Sequence, residues 1–190
     1  MKKGLLITIG VIVLIVVILG STFVSKYNQL VKLDEDVNMS LSQIDNQLQR
    51  RNDLIPNLVE TVKAYAAHEE EIFTAIAEAR SALIGATGVQ DKAEADAAMT
   101  SSLSRLLAIA ENYPDLKANQ NFLALQDELA GTENRIAFAR QDYNTVAASF
   151  NRVARSFPMM MFAKMFGFDQ AAYFEASPGA SEVPTVKFGE

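Results

Sequence analysis

Cysteine is absent from this 190-residue sequence, histidine occurs once, and proline occurs at only five positions. Without cysteine there can be no disulfide, no thiol catalysis, no cysteine-ligated metal and no N-terminal lipoprotein anchor. Glycine-rich phosphate-binding loops are also missing, because the GATG stretch at 85–88 lacks the lysine and the spacing of a P-loop. No segment shows the apolar–polar alternation of a β-strand. These absences leave a helical chain with few of the groups on which catalysis depends.

Negative charge dominates the chain beyond its first residues. All 23 acidic residues lie from Asp34 onward, and residues 27–190 carry 14 basic against 23 acidic side chains, a net charge of −9. A domain this acidic is poorly suited to phosphate backbones, and no lysine or arginine cluster is dense enough to offset it. Nucleic acid is therefore not an expected partner.

The longest apolar run is GLLITIGVIVLIVVILGSTFV, which extends over 21 residues from Gly4 to Val24 without a charge. About 20 apolar residues cross a bilayer as a helix. The alternative is a cleaved signal peptide, but the run exceeds the usual apolar core of about 7–15 residues and no A-x-A-like site follows it. The run predicts a retained single-pass anchor in the cell membrane.

The flanking charges predict the side of the membrane. Lys2 and Lys3 adjoin the run on one side, and Lys26 and Lys32 lie on the other. Because lysine and arginine mark the cytoplasmic flank, the tighter N-terminal pair favours a cytoplasmic N-terminus and an extracytoplasmic domain.

After Val24 the apolar residues follow helical spacing. Leu41, Leu48, Ile55 and Val62 are each seven residues apart. The most regular stretch has two seam positions in each heptad. The first positions are Phe122, Leu129, Ile136, Tyr143, Phe150 and Phe157. The second positions, three residues later, are Leu125, Thr132, Ala139, Val146, Val153 and Met160. Six such heptads predict bundle or coiled-coil packing.

Pro56 interrupts the first of these patterns. Proline disfavours a helix interior, and Asn52 and Asp53 suit the end of one helix and the cap of the next, so we expect a corner here. The alternative is a kink in one continuous helix, which would preserve the seven-residue register. Glycines at 85 and 88 indicate a turn, Asp91 and Glu94 resemble a capping box, and Pro114 suits the start of a helix. Together with the corner, these signals predict helices at about 25–52, 53–86, 91–112 and 114–156.

The predicted fold class is all-α, with an N-terminal transmembrane helix followed by an up-down antiparallel four-helix bundle. We divide the chain into an anchor at 1–25, a bundle at 26–168 and an extended or disordered tail at 169–190, which includes the VPTVKF stretch.

Long blocks of the sequence resemble the LemA family. They are QIDNQLQRRNDLIPNLVETVKAYAAHE at 43–69, NYPDLKANQNFLALQDEL at 112–129, TENRIAFARQDYN at 132–144, FPMMMFAKMFGF at 157–168 and YFEASPGASEVPTVKF at 173–188. With the N-terminal anchor, the resemblance covers essentially the whole chain.

This resemblance implies a membrane-anchored LemA-like helical bundle, with a corner rather than a kink at Pro56 and no established catalytic activity. It also implies roles in membrane organisation or protein quality control. Descriptions of the family place the short N-terminus outside the cell, which is opposite to the side that Lys2 and Lys3 favour.

An enzyme would have to use His68, the only histidine. His68 and Glu71 would share a helix face and could supply two metal ligands, but Tyr65 occupies the position where a Glu-x-x-His pair needs glutamate. A hydrolase would need the same histidine and has no nucleophile-elbow motif. We therefore expect no enzymatic activity and no cofactor, and keep a metal-dependent or hydrolytic enzyme built on His68 and nearby carboxylates as the alternative.

Polar residues also occur in the predicted seams. Arg51, Glu69 and Thr132 fall on the heptad register, with Arg135 close by. Such groups pair inside a bundle to fix its register more often than they form a site, so we expect packing roles. A docking surface for a partner is the other interpretation.

The FPMMMFAKMFGF stretch at 157–168 is the strongest candidate for a functional surface. Three interpretations compete: a lid on the end of the bundle, a membrane contact or a surface for another protein. The candidate membrane or partner contacts are Phe157, Met160, Met161, Phe162, Met165, Phe166 and Phe168.

These observations predict a membrane-anchored scaffold or adaptor that acts through contacts with the membrane, with a partner protein or with copies of itself. Membrane remodelling through the same Met/Phe stretch is a further alternative.

Overall fold

The computed structural model describes residues 2–175, and every regular element in that range is a helix. The helices are α1 (Lys2–Lys63), α2 (Glu70–Gly85), α3 (Val89–Ala110), α4 (Pro114–Lys117), α5 (Gln120–Arg155) and α6 (Met159–Phe166). The predicted all-α class is confirmed. Residues 176–190 of the predicted tail, including VPTVKF, lie outside the described residues.

These helices form two compact units. The first unit comprises the described residues of 1–40 together with 145–171, and the second comprises 41–144 together with the described residues of 172–190. Helices α1 and α5 contribute to both units. The apolar run and α6 belong to the first unit.

The second unit is a four-helix bundle of α1, α2, α3 and α5. Side chains of α1 contact α2 through Asn52–Arg80 and Lys63–Phe73, α3 through Asp45–Lys92 and Arg51–Asp96, and α5 through Arg50–Glu128. Just beyond the end of α1, Tyr65 contacts Asn119, which precedes α5. As residue numbers rise along α1, those of the partners fall in α2 and α5 and rise in α3. This order is the predicted up-down arrangement.

One hydrophobic core joins these helices and α4. Its buried members are Ile55, Leu58, Val62, Ala66, Ile72, Ile76, Ala79, Met99, Leu103, Leu106, Ala110, Leu116 and Phe122. Full burial of a large apolar side chain contributes about 1.5–3 kcal/mol, so this core is the main source of the bundle's stability.

The corner predicted at Pro56 is wrong, because α1 continues through Pro56 to Lys63. A proline inside a helix costs about 3 kcal/mol relative to alanine. Packing of the unbroken seven-residue register offsets that cost, since Leu48, Ile55 and Val62 are only 5%, 1% and 0% exposed. A corner would interrupt this seam and expose side chains that contribute about 1.5–3 kcal/mol each.

The first turn of the bundle lies instead at residues 64–69. The backbone N–H groups of Tyr65 and Ala66 both donate to the carbonyl of Val62, at 3.0 and 2.9 Å, and end the helix there. Ala66 is buried at 1% exposure. Neither glycine nor proline marks this turn, so composition does not reveal it. The predicted helix at 53–86 is thus replaced by the end of α1 and by α2.

The predicted capping box before α3 is also wrong. Helix α3 begins at Val89, after Gly88 in an extended conformation, and no side chain caps its N-terminus. The carboxylate of Glu94 instead accepts a hydrogen bond from Gln90 Nε2 at 3.1 Å. Glu94 therefore binds the Gln90 side chain, one turn earlier in the helix, and not the backbone N–H group at the helix start that a capping box requires.

The predicted helix at 114–156 is divided in two. Short helix α4 begins with Pro114 in its first turn, as predicted, and ends at Lys117. Helix α5 then begins at Gln120, where the Oδ1 atom of Asn119 accepts hydrogen bonds from the backbone N–H groups of Asn121 and Phe122 at 2.9 and 3.2 Å. Asn119 is therefore the N-cap of α5.

Candidate membrane-contact site

The predicted membrane anchor lies at the start of α1. Its most apolar 18-residue window has a mean hydropathy of 2.4, and none of that window is buried inside the protein. The large apolar side chains described between Leu6 and Leu19 are 49% to 68% exposed. Since burying apolar surface is worth about 25 cal/mol per Å², such a bare helix favours a lipid environment. Within residues 2–175, α1 is the one helix long and apolar enough to cross a membrane.

Helix α6 packs against α1 at the end of this apolar run. The Phe23 ring lies 5.4 Å from the ring of Phe162 and 5.3 Å from that of Phe166, both edge to face. Tyr27, one turn further along α1, lies 4.8 Å from Phe166 and 6.2 Å from Phe168. Aromatic pairs of this kind contribute about 0.5–1.5 kcal/mol each beyond the area that they bury. The ring cluster fixes α6 beside the last residues of the run.

The two faces of α6 differ in burial, and both are apolar apart from Lys164. Met159 and Ala163 point inward and are each 4% exposed. The methionines that point outward from α6 are Met160, Met161 and Met165, which are 52%, 62% and 59% exposed. Phe157, just before the helix, is 81% exposed. A helix that is apolar on nearly all sides is typical of a protein core or a membrane environment.

A left-handed glycine ends α6. Gly167 has φ +75°, a conformation that favours glycine because it has no Cβ atom. The following N–H, that of Phe168, donates to the carbonyl of Ala163 at 2.9 Å. This reversal brings the Phe168 ring to Tyr27.

The heptad assignment of Phe157 and Met160 is wrong. Helix α5 ends at Arg155, so the seam that includes buried Phe150 does not extend to either side chain. The lid interpretation requires burial of the outward methionines, and the described residues leave more than half of each outward side chain uncovered.

A side-chain amide holds the chain after α6 against α5. Asn151 Nδ2 donates to the carbonyl of Ala171 at 2.9 Å, and the N–H of Ala171 donates to Asn151 Oδ1 at 2.9 Å. The amide thus pairs with both backbone groups of one residue and is itself only 5% exposed. The first residues of the predicted tail are therefore anchored.

In the bundle unit, Asn144 makes the same pair of bonds with Phe174, each at 2.9 Å. The Phe174 ring packs edge to face against Tyr143 at 5.3 Å and lies 5.4 Å from the guanidinium carbon of Arg140. Tyr143 also donates its hydroxyl to the carbonyl of Ala172 at 2.9 Å, and burial raises the pKa of this phenol. Sequence reasoning missed these contacts, because nothing in α5 indicates where an irregular segment will lie.

A charged cluster lies inside the bundle. Asp96, 1% exposed, accepts hydrogen bonds from Arg51 Nη1 at 2.7 Å and from Arg140. Arg51 also donates to Thr100 at 2.9 Å and pairs with Glu133 at 2.8 Å. Each charge therefore has an opposite partner, which is the condition for burying it. The predicted packing role of Arg51 is confirmed.

The other polar seam residues also have local partners. The hydroxyl of Thr132, fully buried, donates to the carbonyl of Glu128 at 2.8 Å. Glu69 accepts a hydrogen bond from Tyr113 at 3.2 Å, and burial together with this carboxylate raises the pKa of Tyr113. Arg135 lies 3.6 Å from Glu128, whose pKa is lowered mainly by its hydrogen bond from Arg50.

His68 lies in the exposed turn between α1 and α2. The prediction that it shares a helix face with Glu71 is wrong, because α2 begins at Glu70. Across residues 2–175, no three histidine, cysteine or carboxylate side chains form a group that could hold a metal ion.

Residues 2–175 form helices alone, with one candidate membrane span and an up-down bundle, an arrangement typical of helical-bundle membrane proteins. The LemA family profile matches residues 40–188, and the chain belongs to this family. Its resemblance to the family, inferred from the sequence blocks, is thereby confirmed.

The chain is similar to three relatives over most of its length. It is 28% identical to Magnetosome protein MamQ 2 of Paramagnetospirillum magneticum, over 92% of this chain and 73% of the relative. It is 28% identical to Magnetosome protein MamQ of Magnetospirillum gryphiswaldense, over 96% and 75%. It is 26% identical to Protein LemA of Metamycoplasma hominis, over 82% and 71%. Together with the apolar span, this sequence similarity supports a membrane location.

Proposed function

We propose that this protein is a membrane-anchored scaffold that works through contacts rather than catalysis. The apolar part of α1 holds it in the bilayer, and α6 rests on the membrane surface beside the span. The bundle is then free to present its surface to a partner protein or to another copy of the chain.

One observation carries the proposal: apart from Lys164, the outward face of α6 is apolar, and aromatic contacts fix the helix to the end of the span. Phe23 lies one residue before the end of the uncharged run, and Tyr27 lies just beyond it. A bilayer centred on the run would place both rings at its boundary with water, where tyrosine is enriched. The outward methionines would then be covered by lipid instead of water.

The bundle supports a scaffold in a different way. Its buried carboxylate, Asp96, pairs with the buried Arg51 and with the partly buried Arg140. Catalytic groups need a charge or a proton that is available to a substrate. Charges that are consumed in mutual pairing are instead typical of groups that set helix register.

A label on the outward face of α6 tests the membrane contact. Because the chain has no cysteine, Met161→Cys gives a single site for a nitroxide label on the full-length protein in phosphatidylcholine bilayers. We expect the label to lie below the headgroups, with high collision rates with oxygen and low rates with a water-soluble nickel complex. Paramagnetic relaxation measures both.

Two labels on α1 calibrate this measurement. Val16→Cys lies within the span, and Met39→Cys lies 15 residues beyond Val24, about 22 Å along the helix. The proposal fails if the label at residue 161 meets the nickel complex as often as the label at residue 39.

The Met39→Cys variant also tests the side of the membrane. The Lys2–Lys3 pair predicts an extracytoplasmic bundle, so a membrane-impermeant maleimide should label this cysteine in intact cells. Labelling only after lysis would place the bundle in the cytoplasm and overturn this orientation.

A further inference from the structure

The two units carry charge of opposite sign. Within residues 2–175, the unit that contains the span and α6 has seven basic and four acidic residues, a net charge of +3. Over the same range, the bundle unit has nine basic and seventeen acidic residues, a net charge of −8. Lys2 and Lys3 lie before the span, so the part of this unit that follows the span has five basic and four acidic residues, a net charge of +1. It is therefore not acidic, in contrast to the bundle unit.

Basic side chains in the two units also differ in pairing. Eight of the nine in the bundle unit form ion pairs, and the ninth, Arg80, donates to Asn52. In the unit with the span, Lys2 and Lys3 precede the span and Lys32 adjoins the acidic 34–36 stretch. The remaining cations are Lys26, Arg152, Arg155 and Lys164. Within residues 2–175, none of these four forms an ion pair with another side chain.

The positions of these four cations suit a membrane surface. Lys26 follows the end of the apolar run by two residues and lies between Phe23 and Tyr27, which contact α6. Lys164 lies on α6 between two exposed methionines, Met161 and Met165. A cation among apolar side chains at a helix surface is typical of helices that lie in the membrane interface.

The other two cations, Arg152 and Arg155, lie exposed in the last turn of α5, immediately before the Met/Phe stretch. The segment from Thr145 to Phe168 contains no acidic residue, and Asp169 is the first after it. Three cations of the four, Arg152, Arg155 and Lys164, lie in this segment and give it a local positive charge.

We propose that Lys26, Arg152, Arg155 and Lys164 form a headgroup-binding cluster for anionic phospholipids. The inference rests on the proposed function, because it takes the outward face of α6 to lie on the bilayer. The methionines supply affinity for any bilayer, and the cluster selects lipids whose phosphate carries no compensating ammonium group. Anionic headgroups would supply the partners that the cluster lacks within the described residues.

The test measures which lipids remain bound to the full-length protein. The protein is placed in nanodiscs of equal parts phosphatidylglycerol and phosphatidylcholine, and retained lipids are counted by native mass spectrometry. One cation at an anionic surface changes affinity roughly fivefold, so we expect phosphatidylglycerol to be enriched at least fivefold. The enrichment should fall in 0.5 M salt, which shortens the screening length.

A charge-matched pair of variants isolates the cluster. K26Q/R152Q/R155Q/K164Q should bring the lipid ratio close to one. K63Q/R105Q/K117Q/R135Q removes the same number of charges from the bundle surface and should leave the enrichment unchanged. Equal enrichment in wild type and the cluster variant, or equal loss in both variants, would overturn the inference.

The label at residue 161 separates this inference from the proposed function. If that label lies within phosphatidylcholine bilayers while phosphatidylglycerol is not enriched, the membrane contact stands and the cluster is not a lipid site. If the label lies in water, both proposals fail. Circular dichroism confirms that each variant keeps its helices.

Discussion

Asp96→Ala is expected to lower the free energy of unfolding of the bundle by about 3–5 kcal/mol, the usual cost of removing one partner from a buried ion pair. The carboxylate is 2% exposed and binds both Arg51 and Arg140, whose side chains are 4% and 26% exposed. Without it, the one ion-pair partner left to Arg51 among the described residues is Glu133, which is nearly half exposed, and Arg140 loses its ion pair. Denaturant unfolding of the full-length protein in detergent, followed by circular dichroism, measures the loss.

An aspartate on the surface provides the matched control. Asp127 is exposed on α5 and takes part in no ion pair among the described residues, so Asp127→Ala should change stability by no more than about 0.5 kcal/mol. If the two variants unfold alike, the buried cluster does not contribute as proposed.

A third variant asks whether the cluster provides stability or helix register. Replacing Arg51, Asp96 and Arg140 together by Met, Leu and Met removes every charge at once. Buried ion clusters replaced in this way are often neutral or more stable by about 1–4 kcal/mol. We expect the triple variant to be at least as stable as wild type, with any cost appearing as a less uniquely packed bundle in NMR spectra.

Pro56→Ala is expected to stabilise the protein by up to about 3 kcal/mol, the cost of a proline inside a helix relative to alanine. The new N–H group can donate to the carbonyl of Asn52, which proline leaves without its helical donor. The sign of the effect is diagnostic. At a corner, proline would restrict the unfolded chain, and its loss would cost about 0.4–1 kcal/mol.

Pro114 provides the comparison, because it lies in the first turn of α4, where proline removes no helical hydrogen bond. Pro114→Ala should therefore destabilise slightly, opposite in sign to Pro56→Ala. If both substitutions destabilise, the continuous α1 helix is wrong and the predicted corner is restored.

Hydrophobic spacing predicted the parts of the fold that depend on packing over many residues. The apolar span follows from one uncharged run of 21 residues. The all-α class and the long α5 helix follow from repeats that extend over several turns, such as Phe122, Ile136, Tyr143 and Phe150, all of which are buried. At Pro56 the local signal and the long repeat disagreed. The helix follows the repeat, because the free energy gained by burying several apolar side chains exceeds the cost of one proline inside a helix.

Element ends were predicted less well, since they depend on single hydrogen bonds. The turn after Lys63 contains no residue typical of turns, and the cap of α5 depends on which of several polar residues, including Asn119, turns its side chain back. The Met and Phe content of the sequence singled out the stretch that contains α6, but it did not indicate which residues α6 packs against. The aromatic contacts of Phe23 with Phe162 and Phe166 arise from tertiary packing between distant parts of the chain.

That distance has a consequence for biosynthesis. Phe23 and Phe162 are 139 residues apart, so at about 5–20 residues per second roughly 7–28 seconds pass between their syntheses. The span leaves the ribosome first and enters the bilayer before α6 exists. A nascent chain that ends before residue 157 has no α6 to cover Phe23 and Tyr27. Truncated copies are therefore expected to expose these two rings, which the finished chain partly covers with Phe162 and Phe166.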